Sequence, residues 1–107
     1  MRLLRHAYQR AINRSPSDEV WWLCFKSGSK GQYFVMNTAE NSGVKEVTDV
    51  TGLAPRWEIH IDERLLFLTL CAYYHWEEVE GGSHFFCIRE PNRFNESVST
   101  FLAFMTI

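Results

Sequence analysis

The segment RWEIHID, residues 56–62, shows the strictest alternation of apolar and polar residues in the chain. Its apolar residues are Trp57, Ile59 and Ile61, and each of them is flanked by polar residues. Because successive side chains of a strand point to opposite faces, this pattern predicts a strand with one buried and one solvated face. The chain is therefore expected to build a sheet that packs a core against one side.

Two further strands are predicted upstream of this segment. EVWWLCFKS and QYFVMNT are rich in aromatic and branched residues, and a Gly-Ser-Lys-Gly sequence at 28–31 separates them. This arrangement is typical of a hairpin. The first of these strands is apolar on both faces, since Trp21, Leu23 and Phe25 alternate with Val20, Trp22 and Cys24.

The segment LLFLTLCAYYHW, residues 65–76, is ambiguous between helix and strand. Asp62 could cap a helix, and leucine and alanine favour one. However, such a helix would be apolar nearly all round, and a small domain can rarely bury every side of a helix. Aromatic residues and threonine favour a strand. We therefore predict a central strand over residues 65–77.

Both ends of the chain have helical periodicity. In RLLRHAYQRAINR the apolar residues recur at helical spacing and the arginines occupy the other sides. In FNESVSTFLAFMTI either Asn92 or Asn95 can cap a helix with a buried apolar stripe. These patterns predict helices at 2–14 and 95–106, both on one face of the sheet.

The elements together predict a single α+β domain over residues 1–107. Its length and its 46% hydrophobic content are sufficient to form a core without a metal or disulfide. We expect an antiparallel meander of about six strands, with turn sequences between them. The predicted strands are 19–27, 32–38, 44–51, 56–62, 65–77 and 83–90.

Charge and hydropathy exclude several classes of protein. The net charge is -2, and although residues 1–14 hold four arginines and no acid, we interpret them as the solvated face of a docked helix. Nucleic acid is therefore not an expected partner. No apolar run reaches the roughly 18 residues that span a bilayer. Three cysteines and the lack of a secretory signal favour a reducing cytoplasm.

The segment CAYYHWEEVEGGSHFFC contains a possible set of metal ligands, Cys71, His75, His84 and Cys87. In a hairpin that turns at Gly81-Gly82, His84 and Cys87 would point to opposite faces. Four ligands could not then converge at the short bonds that tetrahedral zinc requires. We therefore predict neither a metal nor another cofactor, although a helical first half would bring Cys71 and His75 onto one face.

Histidines with acidic neighbours are the candidates for catalysis. His60 has Glu58 and Asp62 as same-face neighbours, and His75 has Glu77. A carboxylate beside an imidazole can orient it for general acid or base catalysis. No nucleophile motif or phosphate-binding loop accompanies either pair. A noncatalytic protein is therefore the favoured interpretation, with no catalytic residue assigned, and an enzyme remains open.

The surplus of aromatic residues predicts a contact surface. The chain has four Trp, four Tyr and eight Phe, and two short helices can cover only one sheet face. Exposed aromatic residues with nearby charges are typical of protein interfaces. The expected contact residues are Trp22, Tyr73, Tyr74, Trp76, Glu77, Glu78 and Glu80.

The leading functional hypothesis is a small protein that binds and occludes another protein, such as a toxin or an enzyme. Bacterial immunity proteins, antitoxins and phage-encoded inhibitors work in this manner, and homodimerisation through the uncovered sheet face is a natural companion. The alternative is a small-molecule-binding or enzymatic α+β domain with an aromatic-lined pocket around His60, Tyr73 and His75, with Asp62 beside it. A secretion chaperone is a third possibility on element order alone.

Overall fold

The computed structural model describes residues 2–26, 31–71, 76, 85–91 and 95–106. Within these ranges the order of elements is helix, four strands, helix, strand, helix. The elements are α1 (Arg2–Arg14), β1 (Trp22–Lys26), β2 (Tyr33–Asn37), β3 (Lys45–Val47), β4 (Arg56–Ile61), α2 (Glu63–Leu70), β5 (Phe85–Glu90) and α3 (Glu96–Ala103).

The α+β class and both terminal helices are confirmed. α1 buries the apolar residues of its helical stripe, Leu4, Ala7, Tyr8, Ala11 and Ile12. α3 begins at Asn95, whose side chain accepts a hydrogen bond from the amide of Val98 at 3.2 Å. This bond satisfies one of the amides that a helix start leaves without an intrahelical partner.

The sheet has five strands in the order β3-β2-β1-β4-β5 over the described part of the chain. β1 and β2 pair antiparallel, as the hairpin signal predicted, and β4 pairs antiparallel with β5. β1 and β4, however, are parallel, with Leu23 opposite Trp57 and Phe25 opposite Ile59. The expected antiparallel meander of six strands is therefore wrong: the sheet is mixed. Alternation assigns a residue to a face, but it does not specify which strand lies next to which.

The strand predicted at 65–77 is also wrong over residues 65–70, because residues 63–70 form α2, while residues 72–75 and 77 lie outside the described ranges. Asp62 caps this helix and accepts from the amides of Arg64 and Leu65 at 2.9 and 3.3 Å. The sequence favoured a strand here on the expectation that every apolar side chain of a helix needs burial. α2 instead buries Leu66 and Leu70 and leaves Phe67 55% exposed. Likewise, the strand expected at 44–51 is only Lys45–Val47.

The main core lies between the sheet and the helices. Buried residues from all three helices join one cluster with Leu23, Phe25, Trp57 and Ile59, so these helices cover the same sheet face. α1 contacts both α2 and α3. None of the helices in the described ranges is long and apolar enough to cross a membrane.

A smaller apolar cluster lies on the opposite sheet face. It consists of buried Cys24, Val35 and Val50, with Trp22 and Leu53 among the partly buried residues packed against it. The chain must pass from β3, at the sheet edge, over β2 and β1 to reach β4. Residues 48–55, the crossing segment, make this passage and cover the second face. Both faces of β1 are apolar because both are covered.

Candidate functional site

A cluster of polar side chains occupies the second sheet face beside the crossing segment. Arg56, Glu58 and His60 alternate with the core residues of β4 and therefore share this face. Glu58 lies between the other two: its carboxylate accepts from Arg56 Nε at 2.8 Å and lies 3.3 Å from His60 Nε2. Although charged, Glu58 is only 7% exposed. With Tyr33, these three residues are called the polar cluster.

The neighbouring strands hold the polar cluster in place. The ring of Tyr33 meets His60 edge-on, with 6.1 Å between centroids, and the ammonium of Lys26 lies 5.5 Å from the Tyr33 ring centre. Arg56 also donates from Nη1 to the carbonyl oxygen of Leu53 at 3.1 Å. The guanidinium therefore links the crossing segment to Glu58.

Electrostatics fix the charge states within the polar cluster. Burial by itself raises the pKa of Glu58, but hydrogen bonds from Arg56 and His60 and their charges outweigh it, and the net pKa is lowered. Burial, the charge of Glu58 and a hydrogen bond to that carboxylate raise the pKa of Tyr33. At neutral pH, Glu58 is therefore ionised and Tyr33 is a neutral phenol. The side chains of the polar cluster are therefore held around the Glu58 carboxylate, whose charge is balanced by Arg56.

Cys24 lies directly opposite Glu58 in the β1–β4 pairing, but its thiol is expected to be unreactive. Burial, followed by the charge of Glu58, raises the pKa of its thiol to about 12. The thiolate, which is the nucleophilic form, is therefore very scarce at neutral pH.

The residues of the predicted pocket are only partly placed. His60 does contact Glu58, as its position in the alternation suggested. Asp62 caps α2 through two backbone amides and is exposed. Tyr73 and His75 lie outside the described residues, so a pocket that combines them with His60 stays a prediction.

The residues of the predicted contact surface differ in their burial, and several of them lie outside the described ranges. Trp22 is half-buried on the second sheet face. Trp76 is only 4% exposed, packs on Phe25 at 5.8 Å between ring centroids, and donates to the Met105 carbonyl at 3.0 Å. It therefore contributes to the core. The remaining residues of that prediction lie outside the described ranges: Tyr73, Tyr74, Glu77, Glu78 and Glu80.

Of the four possible metal ligands, the structure describes the two cysteines but not the two histidines. Cys71 caps the C-terminal end of α2 and Cys87 lies in β5, both as half-buried thiols. His75 and His84 lie outside the described residues. Because Cys71 ends a helix, the hairpin geometry that argued against zinc does not hold at this position. Within the described ranges, no three His, Cys, Asp or Glu side chains are grouped as a metal site would require.

Ile88 marks a surface that the sequence did not single out. It is 43% exposed on β5 and lies opposite Glu58 in the β4–β5 register. Arg56 lies opposite Glu90 in the same pairing. The sequence HFFCIRE is apolar at positions of both faces, so it gave no signal for an exposed apolar residue. We call the exposed Ile88 and Glu90, with the half-buried Arg56 and His60, the sheet-end surface; the buried Glu58 links the last two.

An open depression of about 460 Å³ lies at the β3 side of the sheet. Four of the five described residues that line it are of polar or charged type: Gln32, Glu46, Thr48 and Asp49, with Val47 as the fifth. These described lining residues include neither a histidine nor an aromatic ring, so the depression differs from the pocket that the sequence suggested.

Comparisons with known proteins give little further information. No protein-family model matches the chain. No curated protein matches it either. Among solved structures, the chain is similar to the solution structure of a conserved hypothetical protein of Thermus thermophilus, described as a possible sterol carrier protein. The TM-score is 0.48 at 13% sequence identity, over 98% of this chain and 82% of the other. A likeness at this level says nothing about what this chain binds.

Proposed function

We propose that the chain is a noncatalytic protein-binding domain whose contact is the sheet-end surface. The observation that carries this proposal is the position of Ile88. It is a large apolar side chain, 43% exposed, in register with the ordered charges of β4. Apolar anchors surrounded by polar groups are characteristic of protein interfaces.

The restricted conformations of the charged side chains support the proposal that this surface binds a partner. Arg56 and His60 are both positioned by Glu58, so their side chains have already lost much of their conformational freedom before a partner arrives. Ordering a flexible side chain on binding costs about 0.5–1.5 kcal/mol, and a pre-ordered side chain avoids most of that cost. Occlusion of a partner's functional surface, as an inhibitor would do, is the finer form of this proposal.

Paired variants test the proposal. Ile88→Arg places a charge on the sheet-end surface, and Phe67→Arg is the matched control because Phe67 is 55% exposed on α2. Candidate partners are captured on immobilised wild-type chain, identified by mass spectrometry, purified and measured by calorimetry. We expect Ile88→Arg to weaken binding by about tenfold or more and Phe67→Arg to leave it within about twofold.

Equal binding by wild-type chain and Ile88→Arg would overturn the proposed surface. The lack of any partner that survives purification, together with a monomeric chain in sedimentation equilibrium, would overturn protein binding itself. If the chain forms a homodimer through this surface, Ile88→Arg is expected to make it monomeric and Phe67→Arg is not.

A small-molecule site is the second candidate, and the polar cluster is the observation that favours it. Convergent polar groups beside an apolar surface are typical of ligand sites. A metabolite panel screened by the NMR signals of the His60 ring would detect such a ligand. The alternative predicts a saturable shift of the His60 ring signals that Ile88→Arg preserves, and an affinity in calorimetry that His60→Gln reduces. Saturation without His60 shifts would contradict it.

A further inference from the structure

We propose that the crossing segment is a flap that opens locally, without unfolding of the sheet, and thereby exposes Cys24. This inference concerns residues 48–55 and their apolar contacts, and it does not depend on the proposed function.

The first observation is how few attachments hold the segment. Val50, which is 3% exposed, packs with Cys24 and Val35, and Leu53 packs against the same cluster at half burial. Most hydrogen bonds of the crossing segment lie within the segment itself: the Leu53 amide donates to the Val50 carbonyl, and Thr51 donates to the Asp49 carboxylate.

The second observation is that one side chain latches the segment to the sheet. Arg56 donates to the Leu53 carbonyl at 3.1 Å and is itself held by Glu58 at 2.8 Å. The only other hydrogen bond from the segment to a strand, among the described residues, joins Pro55 to Trp22 at its base. Among the described residues, the segment is anchored by buried Val50, by half-buried Leu53 and Pro55, and by one latch. Such a segment is expected to open at a fraction of the cost of global unfolding.

The third observation is that the crossing segment covers Cys24. Cys24 has no measurable exposed surface and its thiol pKa is raised to about 12 while the flap is closed. It can react with a thiol reagent only after an opening, local or global, uncovers it, so the urea dependence of its reaction rate tells the two kinds of opening apart.

The test is the rate of alkylation of wild-type chain by iodoacetamide, resolved by peptide mass spectrometry over a urea series at fixed pH. Cys71 and Cys87 serve as internal references in the same sample. Local opening exposes little surface. The free energy of opening, obtained from the alkylation rate of Cys24, is therefore expected to fall with urea much less steeply than the free energy of global unfolding.

Two valine variants separate the flap from the rest of the fold. Val50→Ala removes the buried anchor, and we expect roughly tenfold faster alkylation of Cys24 without urea. Val98→Ala removes an equally buried valine from α3 on the opposite layer. It is expected to lower global stability and to leave the rate for Cys24 within about twofold, because local opening is uncoupled from that layer.

The proposal is overturned if Cys24 reacts only with the urea dependence of global unfolding. It is equally overturned if the two valine variants accelerate alkylation to the same extent, because both would then act through global stability. If Val50→Ala fails to fold, the urea series on wild-type chain decides the question by itself.

Discussion

Removing the carboxylate of Glu58 is expected to destabilise the fold far more than removing the whole ion pair. The side chains of Arg56 and Glu58 are only 12% and 9% exposed, and 2.8 Å separates their bonded atoms. In Glu58→Leu the guanidinium keeps its charge in a site with little water. Breaking a buried pair in this way costs about 3–5 kcal/mol, and we expect about 3 because Arg56 keeps some contact with solvent.

Replacing both residues should restore most of this loss. In the double variant Arg56→Met/Glu58→Leu no charge of the pair remains, and apolar side chains of similar volume fill the site. Such replacements are often neutral or stabilising, so we expect the free energy of unfolding to return to within about 1 kcal/mol of wild type. Urea unfolding at pH 7, followed by tryptophan fluorescence, measures all three proteins.

The same pair predicts how stability depends on pH. The folded-state pKa of Glu58 lies below its ordinary value of 4.5, so its contribution is complete above that value. It is lost as the pH falls through the lower, folded-state pKa. Glu58→Gln should lack this part of the acid dependence. A cost of Glu58→Leu below about 1 kcal/mol, or a double variant as unstable as the single one, would contradict the role of Glu58 in neutralising a buried Arg56.

Four further substitutions, at three residues, test individual contacts by urea unfolding. Tyr8→Phe removes a hydroxyl that lies 2.7 Å from the Asn37 carbonyl and accepts from the Ser42 amide, and we expect a loss of about 1–3 kcal/mol; a change below about 0.5 would contradict this role. Asp62→Ala should cost about 1 kcal/mol and Asp62→Asn clearly less, because asparagine also caps; equal losses would argue against capping. Trp76→Phe should cost about 1–3 kcal/mol by leaving the Met105 carbonyl without its donor, whereas no loss would mean that the bond is dispensable.

The sequence predicted those elements whose local pattern has one consistent solution. Alternation in RWEIHID matches β4, Arg56–Ile61, and the buried stripe of α1 matches the apolar spacing of residues 2–14. The hairpin of β1 and β2 follows from two branched and aromatic segments around glycines. In each case the pattern and the turn signal point to the same structure.

The errors arose where tertiary contacts decide the structure. Asp62 offered a cap for α2, but the prediction gave more weight to the burial of every apolar side chain, and the exposure of Phe67 shows that this weight was misplaced. The parallel pairing of β1 with β4 depends on where the chain crosses the sheet, which periodicity does not record.

The candidate site was predicted only in its local part. The neighbourhood of His60 and Glu58 follows from a spacing of two residues in a strand, and the structure contains this contact. The exposure of Ile88 and the coverage of Cys24 by Val50 depend on strand order and on the path of residues 48–55. Trp76 is buried in the core, where it packs on Phe25 and donates to the Met105 carbonyl, and both contacts join residues far apart in sequence.

Methyl NOE spectroscopy tests most directly whether the two sheet faces are covered by different parts of the chain. The measurement is the set of NOEs from the Val50 methyl groups. Packing of the crossing segment on the second face predicts strong NOEs to Val35 and to the β-protons of Cys24, with none to Leu66 on α2. NOEs from Val50 to Leu66, or none beyond neighbours in sequence, would contradict it.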